Sequence, residues 1–171
     1  MTPATMTEAT AAHATVTHGT FTIQRTYPVS VHELFGVWSS QAAKDEWFAS
    51  MQDFLAAKDS YTLDFRVGGA EILDGRLPSG RHFHYAATHQ DIVPDVRIIQ
   101  SYDVLIDDRR ISVSVITVEF LAADGGATLL ITEQGTFLDG FDNNDERRLG
   151  ALSNLDSIEL YFASRGHAAP A

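Results

Sequence analysis

Glu133 and His89 are the two side chains of this 171-residue chain best suited by their surroundings to move a proton. In the segment Ala127 to Leu138, Leu129, Ile131, Glu133, Gly135 and Phe137 share one parity, while Thr128, Thr132, Gln134 and Thr136 share the other. A strand sends alternate side chains to opposite faces, so Glu133 is a carboxylate on an otherwise apolar face. Burial disfavours the charged form of a carboxyl and raises its pKa, which suits a proton donor or acceptor, or an anchor for a bound molecule. The competing expectation is a structural carboxylate paired with an arginine or a strand end. His89 shares the parity of Phe83, Tyr85 and Ala87. Together with Glu133 it would form a general acid–base couple if both reached one substrate; a hydrogen-bonded core histidine is the alternative.

Trp47, Phe48, Phe65, Phe83, Tyr85 and Tyr102 are candidates for the wall of a small-molecule pocket, the tyrosines adding hydroxyls that orient a ligand. Leu152 and Leu155 complete the expected lining from the last helix. His82 and His84 share a strand face at a spacing open to a metal, but no third ligand of suitable spacing follows, and no metal is expected. With no cysteine in the chain, thiolate and disulfide chemistry are excluded. No Gly-x-Ser-x-Gly elbow occurs, and the Gly68-Gly69 pair is too short for a phosphate-binding loop, so neither a nucleotide nor another cofactor is expected.

Positioning these residues requires a folded core, and the length and 44% hydrophobic content suit one domain. Twelve Lys and Arg against 23 Asp and Glu give a net charge of −11, which disfavours nucleic acid and anionic lipid as partners. No uninterrupted apolar run approaches the roughly 18 residues of a spanning helix. Residues 1–18 lack the basic start and apolar run of a signal peptide, and are expected to form a flexible tail on a cytoplasmic protein.

The periodicity predicts strands over Thr20 to Tyr27, Tyr61 to Val67, Ala70 to Asp74, His82 to Val93, Val96 to Ile106, Ile111 to Ala122 and Ala127 to Leu138. Ser30 and Glu33 have capping-box spacing ahead of a short helix, and Gln41 to Phe48 predicts a second. Gly68-Gly69 predicts a bend, and Gly75 to Gly80 a turn. A long amphipathic helix is expected from Asp142 to Ser164, capped by Asp142 or Asn143, with a stripe of Leu149, Leu152, Leu155, Ile158 and Phe162. The class is α+β: a curved seven-stranded antiparallel sheet, two short helices after the first strand, and a C-terminal helix over a hollow. Apolar residues on both parities of Ile111 to Ala122, Val113 and Val115 among them, would suit a homodimer contact.

Arg25-Thr26-Tyr27, Trp47-Phe48, Phe65-Arg66-Val67-Gly68-Gly69, Asp91-Ile92-Val93-Pro94 and the closing helix together are similar to the START-like (SRPBCC) superfamily. Within it, the chain resembles the homologues of the activator of the ninety-kilodalton heat-shock protein ATPase, grouped with polyketide cyclases. The resemblance covers residues 19–164, leaving 165–171 as a C-terminal tail. It implies a helix-grip fold whose internal cavity holds a small hydrophobic molecule, with no shared reaction. Two departures stand out: Gly150 is followed by Ala151 where relatives often carry Gly-Trp, and Glu133 stands where many carry histidine. The leading expectation is a module that binds a small hydrophobic molecule. A cofactor-independent enzyme (cyclase, lyase or hydrolase-like) working through Glu133 or His89, and a co-chaperone acting through its surface, are the alternatives.

Overall fold

Ser30 begins the first helix as its spacing requires. Its hydroxyl accepts from the Glu33 amide at 3.2 Å, and the Glu33 carboxylate accepts from the Ser30 amide at 2.9 Å. In the computed structural model, which describes residues 14–49 and 54–167, the chain runs β1 (Val16–Tyr27), α1 (Val31–Ser39), α2 (Gln41–Trp47), β2 (Ala57–Leu63), β3 (Ala70–Arg76), β4 (His82–Val93), β5 (Arg97–Ile106), β6 (Arg109–Ala123), β7 (Gly126–Leu138) and α3 (Asn144–Ala163). The strands form one antiparallel sheet in the order β1-β7-β6-β5-β4-β3-β2. This is the expected helix-grip arrangement, with the first strand closing on the last. No described helix is long and apolar enough to cross a membrane.

Several boundaries differ from the periodic reading. β1 starts at Val16 because Val16, Thr17 and His18 pair with Leu138, Phe137 and Thr136 of the long β7; these residues belong to the sheet, and residues 1–13 of the expected tail lie outside those described. β2 ends at Leu63 and does not continue to Val67. Tight turns close over Asp64 to Gly69, where the Arg66 amide donates to the Asp64 carbonyl and the Gly69 amide to that of Arg66, and Val67 is 57% exposed. The bend at Gly68 is where expected, with φ +79°. β3 runs on through Gly75, assigned from its sequence to a turn, because a bare α-carbon there lets the chain lie against the Ala57 carbonyl.

Between β5 and β6, Asp107 and Asp108 both adopt left-handed conformations, the short turn whose twist matches that of paired strands. Asn143 caps α3 by accepting from the Glu146 amide at 2.9 Å. The buried stripe of α3 is Ala151, Leu155, Ile158 and Phe162, whereas Leu149 is 62% exposed. Spacing alone admits either stripe; packing on β1 selects one. The Tyr27 hydroxyl donates to the Leu155 carbonyl at 3.0 Å, and Arg25 reaches Asp156 at 2.6 Å and Glu159 at 3.0 Å. Those bonds hold the middle of α3 on β1, and its N-terminal half roofs the space over β4 to β7.

Candidate functional site

A cavity of about 390 Å³ lies between the concave sheet face, α2 and the N-terminal half of α3. Its wall is mostly apolar, from Trp38 and Trp47 of the short helices to Ile116 and Ile131 of the sheet, with Phe54 and Phe141 also bordering it. Alternation in β4, β5 and β7 supplies the wall: each has every second residue buried over most of its length.

Of the residues expected from sequence, Trp47, Phe48, Phe83, Tyr85, Tyr102 and Glu133 line the cavity. Phe65 does not. With β2 ended at Leu63, its ring turns onto Phe35 at 5.8 Å and His89 at 5.2 Å. Leu152 and Leu155 are also off the wall: Leu155 is fully buried in the core beside β1, and Leu152 packs against the same cluster. Ala151 borders the cavity instead, together with Gly150. A tryptophan at position 151 would project its ring into this space.

Glu133 faces inward as its parity requires. Its carboxylate accepts from the Tyr102 hydroxyl at 2.5 Å and lies 3.5 Å from Arg147 Nη1. Arg147, on the first turns of α3, donates to the Tyr102 hydroxyl at 2.7 Å and to Ser112 Oγ at 2.6 Å, and pairs with Asp142. Burial raises the Glu133 carboxyl above its ordinary range, against the opposing pull of Arg147 and Tyr102. The arrangement joins both expectations for Glu133, a carboxylate near an arginine and one open to a cavity.

His89 and Glu133 are not a couple. His89 belongs to a second polar cluster under α2 and does not line the cavity: its Nδ1 lies 3.2 Å from the Gly69 carbonyl and its Nε2 3.2 Å from the Gln100 amide nitrogen. Burial lowers its pKa, opposed by the Gly69 hydrogen bond, so the ring is a neutral structural element. The cluster centres on Glu71, whose Oε2 accepts from Lys44 and Gln100, both at 2.7 Å, and whose Oε1 accepts from Tyr61 at 2.9 Å. Lys44 is 3% exposed and Glu71 0%. Burial pushes Glu71 upward, but Lys44, Gln100 and Tyr61 outweigh it and leave the carboxyl below its ordinary range. The ammonium lies over the rings of Trp38 at 4.8 Å and Phe48 at 5.3 Å.

Lys44, Glu71, Gln100 and Arg147 were not singled out from sequence. The parity that exposes Glu133 also marks Glu71, in step with Leu73, and Gln100, in step with Ile98 and Tyr102. Lys44 gives only the weaker signal of standing three and four residues before Trp47 and Phe48, and Arg147 lies one helical turn before Ala151. On the outer sheet face, His82 Nε2 and His84 Nδ1 both reach Asp74 Oδ1, at 3.0 Å and 2.8 Å. No group of three or more His, Asp or Glu among the described residues is arranged to hold a metal ion.

The sequence profile of the Activator of Hsp90 ATPase homolog 1-like protein family matches residues 28–163. A crystal structure of an uncharacterised protein from Rhizobium leguminosarum is 37% identical, covering 90% of this chain and 99% of that one, with a TM-score of 0.84. A protein from Rhizobium loti is 35% identical over 86% of this chain and 99% of its own, with a TM-score of 0.78. The AHSA1-like protein of Aeromonas hydrophila, 16% identical over 90% of this chain and 98% of its own, shares the fold with a TM-score of 0.63. No curated protein matches the chain. The profile spans most of the chain and the sheet and helices follow the same arrangement; the chain belongs to the Activator of Hsp90 ATPase homolog 1-like family.

Proposed function

We propose that this protein binds a small, largely apolar molecule inside the cavity between its sheet and α3. The observation that carries this reading is the combination of a mostly apolar cavity of about 390 Å³ with a few polar side chains at its wall, Lys44, Gln100, Tyr102 and Glu133. Pockets of roughly 300 to 1,000 Å³ with a few placed polar groups are the usual form of small-molecule sites. At interior packing density the space holds on the order of 20 non-hydrogen atoms. Native mass spectrometry of the purified protein, with the neutral fluorophore 1-aminoanthracene as an added probe, tests it. The wild type should carry a co-purified molecule or take up one probe, and Ala151→Trp should take up neither. A wild-type protein that is empty and refuses the probe overturns the proposal.

An enzymatic reading is favoured by one observation: Glu133 borders the cavity with its pKa raised by burial and with Tyr102 bonded to it. A bound substrate would meet a carboxyl able to give or take a proton. His89, outside the cavity wall, has no part in that reading.

A further inference from the structure

Some of the hydrogen-bonding capacity on the cavity wall is unused by the protein. The Lys44 ammonium has three N–H donors; it gives one to Glu71 and has no second acceptor among the described residues. The Gln100 amide nitrogen is directed at the Glu71 carboxylate. Because a carboxylate only accepts, the amide orientation is fixed and the Gln100 carbonyl oxygen is left without a donor among the described residues. The Tyr85 hydroxyl makes no hydrogen bond to a described residue, and its ring stands 5.0 Å from that of Tyr102 and 5.3 Å from that of Phe48. All three residues line the same cavity.

Charge narrows what these groups can accept. Lys44 is matched by Glu71, and Arg147 is shared between Asp142 and Glu133. Nearer the opening, Arg81 is engaged by Asp107, and Glu146 adds a further carboxylate to the lining. An anionic ligand would bring a charge that no cation of the site is free to balance, and uncompensated buried charge is costly.

We propose that the cavity selects neutral molecules carrying a carbonyl or hydroxyl oxygen on a flat apolar body, and rejects carboxylates of the same shape. The oxygen accepts from Lys44 and Tyr85; where it is a hydroxyl, its proton goes to the Gln100 carbonyl. The flat body lies against the aromatic and branched side chains of the wall. This inference rests on the cavity being a ligand site, and its test separates the two.

Calorimetric titration of the full chain with 2-naphthol, naphthalene and 2-naphthoate is the experiment. 2-Naphthol should bind about tenfold more tightly than naphthalene, and 2-naphthoate at least about tenfold more weakly than 2-naphthol. Tyr85→Phe, which keeps the ring, should remove most of the advantage of 2-naphthol over naphthalene. Lys44→Met alone would strand Glu71, so the second variant is Lys44→Met with Glu71→Leu, checked for folding by circular dichroism; it should reduce the advantage further. Equal affinities for 2-naphthol and naphthalene overturn the selectivity while leaving the cavity as a binding site. Tightest binding by 2-naphthoate overturns the charge argument. Binding of none of the three overturns the cavity reading itself.

Discussion

Two buried carboxyls, Glu71 and Glu133, show how neighbours decide the behaviour of one chemical group. Both lose water, but Glu71 gains Lys44, Gln100 and Tyr61 at hydrogen-bonding distance, whereas Glu133 must share Arg147 with Asp142. Hence Glu71 is held below the ordinary carboxylate range and Glu133 above it. A carboxyl raised in the folded state ionises first in the unfolded chain. Its contribution to stability therefore falls as pH rises through the unfolded pKa, and levels off above the folded one. Glutamine does not titrate. The melting temperature of Glu133→Gln relative to wild type should increase as pH rises from about 4, the ordinary carboxyl range, and level off once pH has passed the raised folded-state value. Thermal denaturation across that range checks this, and a difference that stays constant with pH removes the argument.

At the scale of elements, the turn from Asp64 to Gly69 sets where β2 ends and which side chains reach the cavity. A β-carbon on Gly69 would stand 2.1 Å from the Asp64 carbonyl oxygen, a backbone contact that cannot be relieved by a rotamer change. The same glycine's carbonyl accepts from the His89 backbone amide and lies 3.2 Å from its ring. Gly69→Ala should therefore cost more than about 2 kcal/mol in urea unfolding, well above the usual change for a surface substitution. The parity reading of β4 and β7 was correct because each has one face against the interior. It failed at Phe65 because that residue follows the last paired residue of β2, where alternation no longer governs direction. The stripe of α3 was misassigned at Leu149 for a related reason: the helix is apolar on more than one side, and only its seat on β1 selects the buried face.

For the whole molecule, the cavity lies where the curved sheet and α3, held closely together at β1, leave space over β4 to β7. Occupying such a space stabilises the folded state by mass action, by about 2.7 kcal/mol at a ligand concentration a hundred times Kd. Saturating 1-aminoanthracene should raise the melting temperature of the wild type by several degrees and leave that of Ala151→Trp unmoved, measured by scanning calorimetry. An equal rise in both places the probe elsewhere. On the outer face of β6, Val113 and Val115 are 43% and 40% exposed; a homodimer contact there remains a proposal that sedimentation would test.

The order of strands and helices, the cap at Ser30, the bend at Gly68 and the inward carboxylate Glu133 were all readable from the chain, because each depends on period two, on helical spacing or on one residue's backbone freedom. The company each side chain keeps was not. His89 and Glu133 have the same apolar parity, yet they lie in different clusters, since parity reports a face and not a position across seven strands. Lys44 meets Glu71 and Arg147 meets Glu133 only when helices distant in sequence settle on the sheet. That tertiary meeting decided which buried charges are matched, the observation on which the proposed preference for neutral molecules rests.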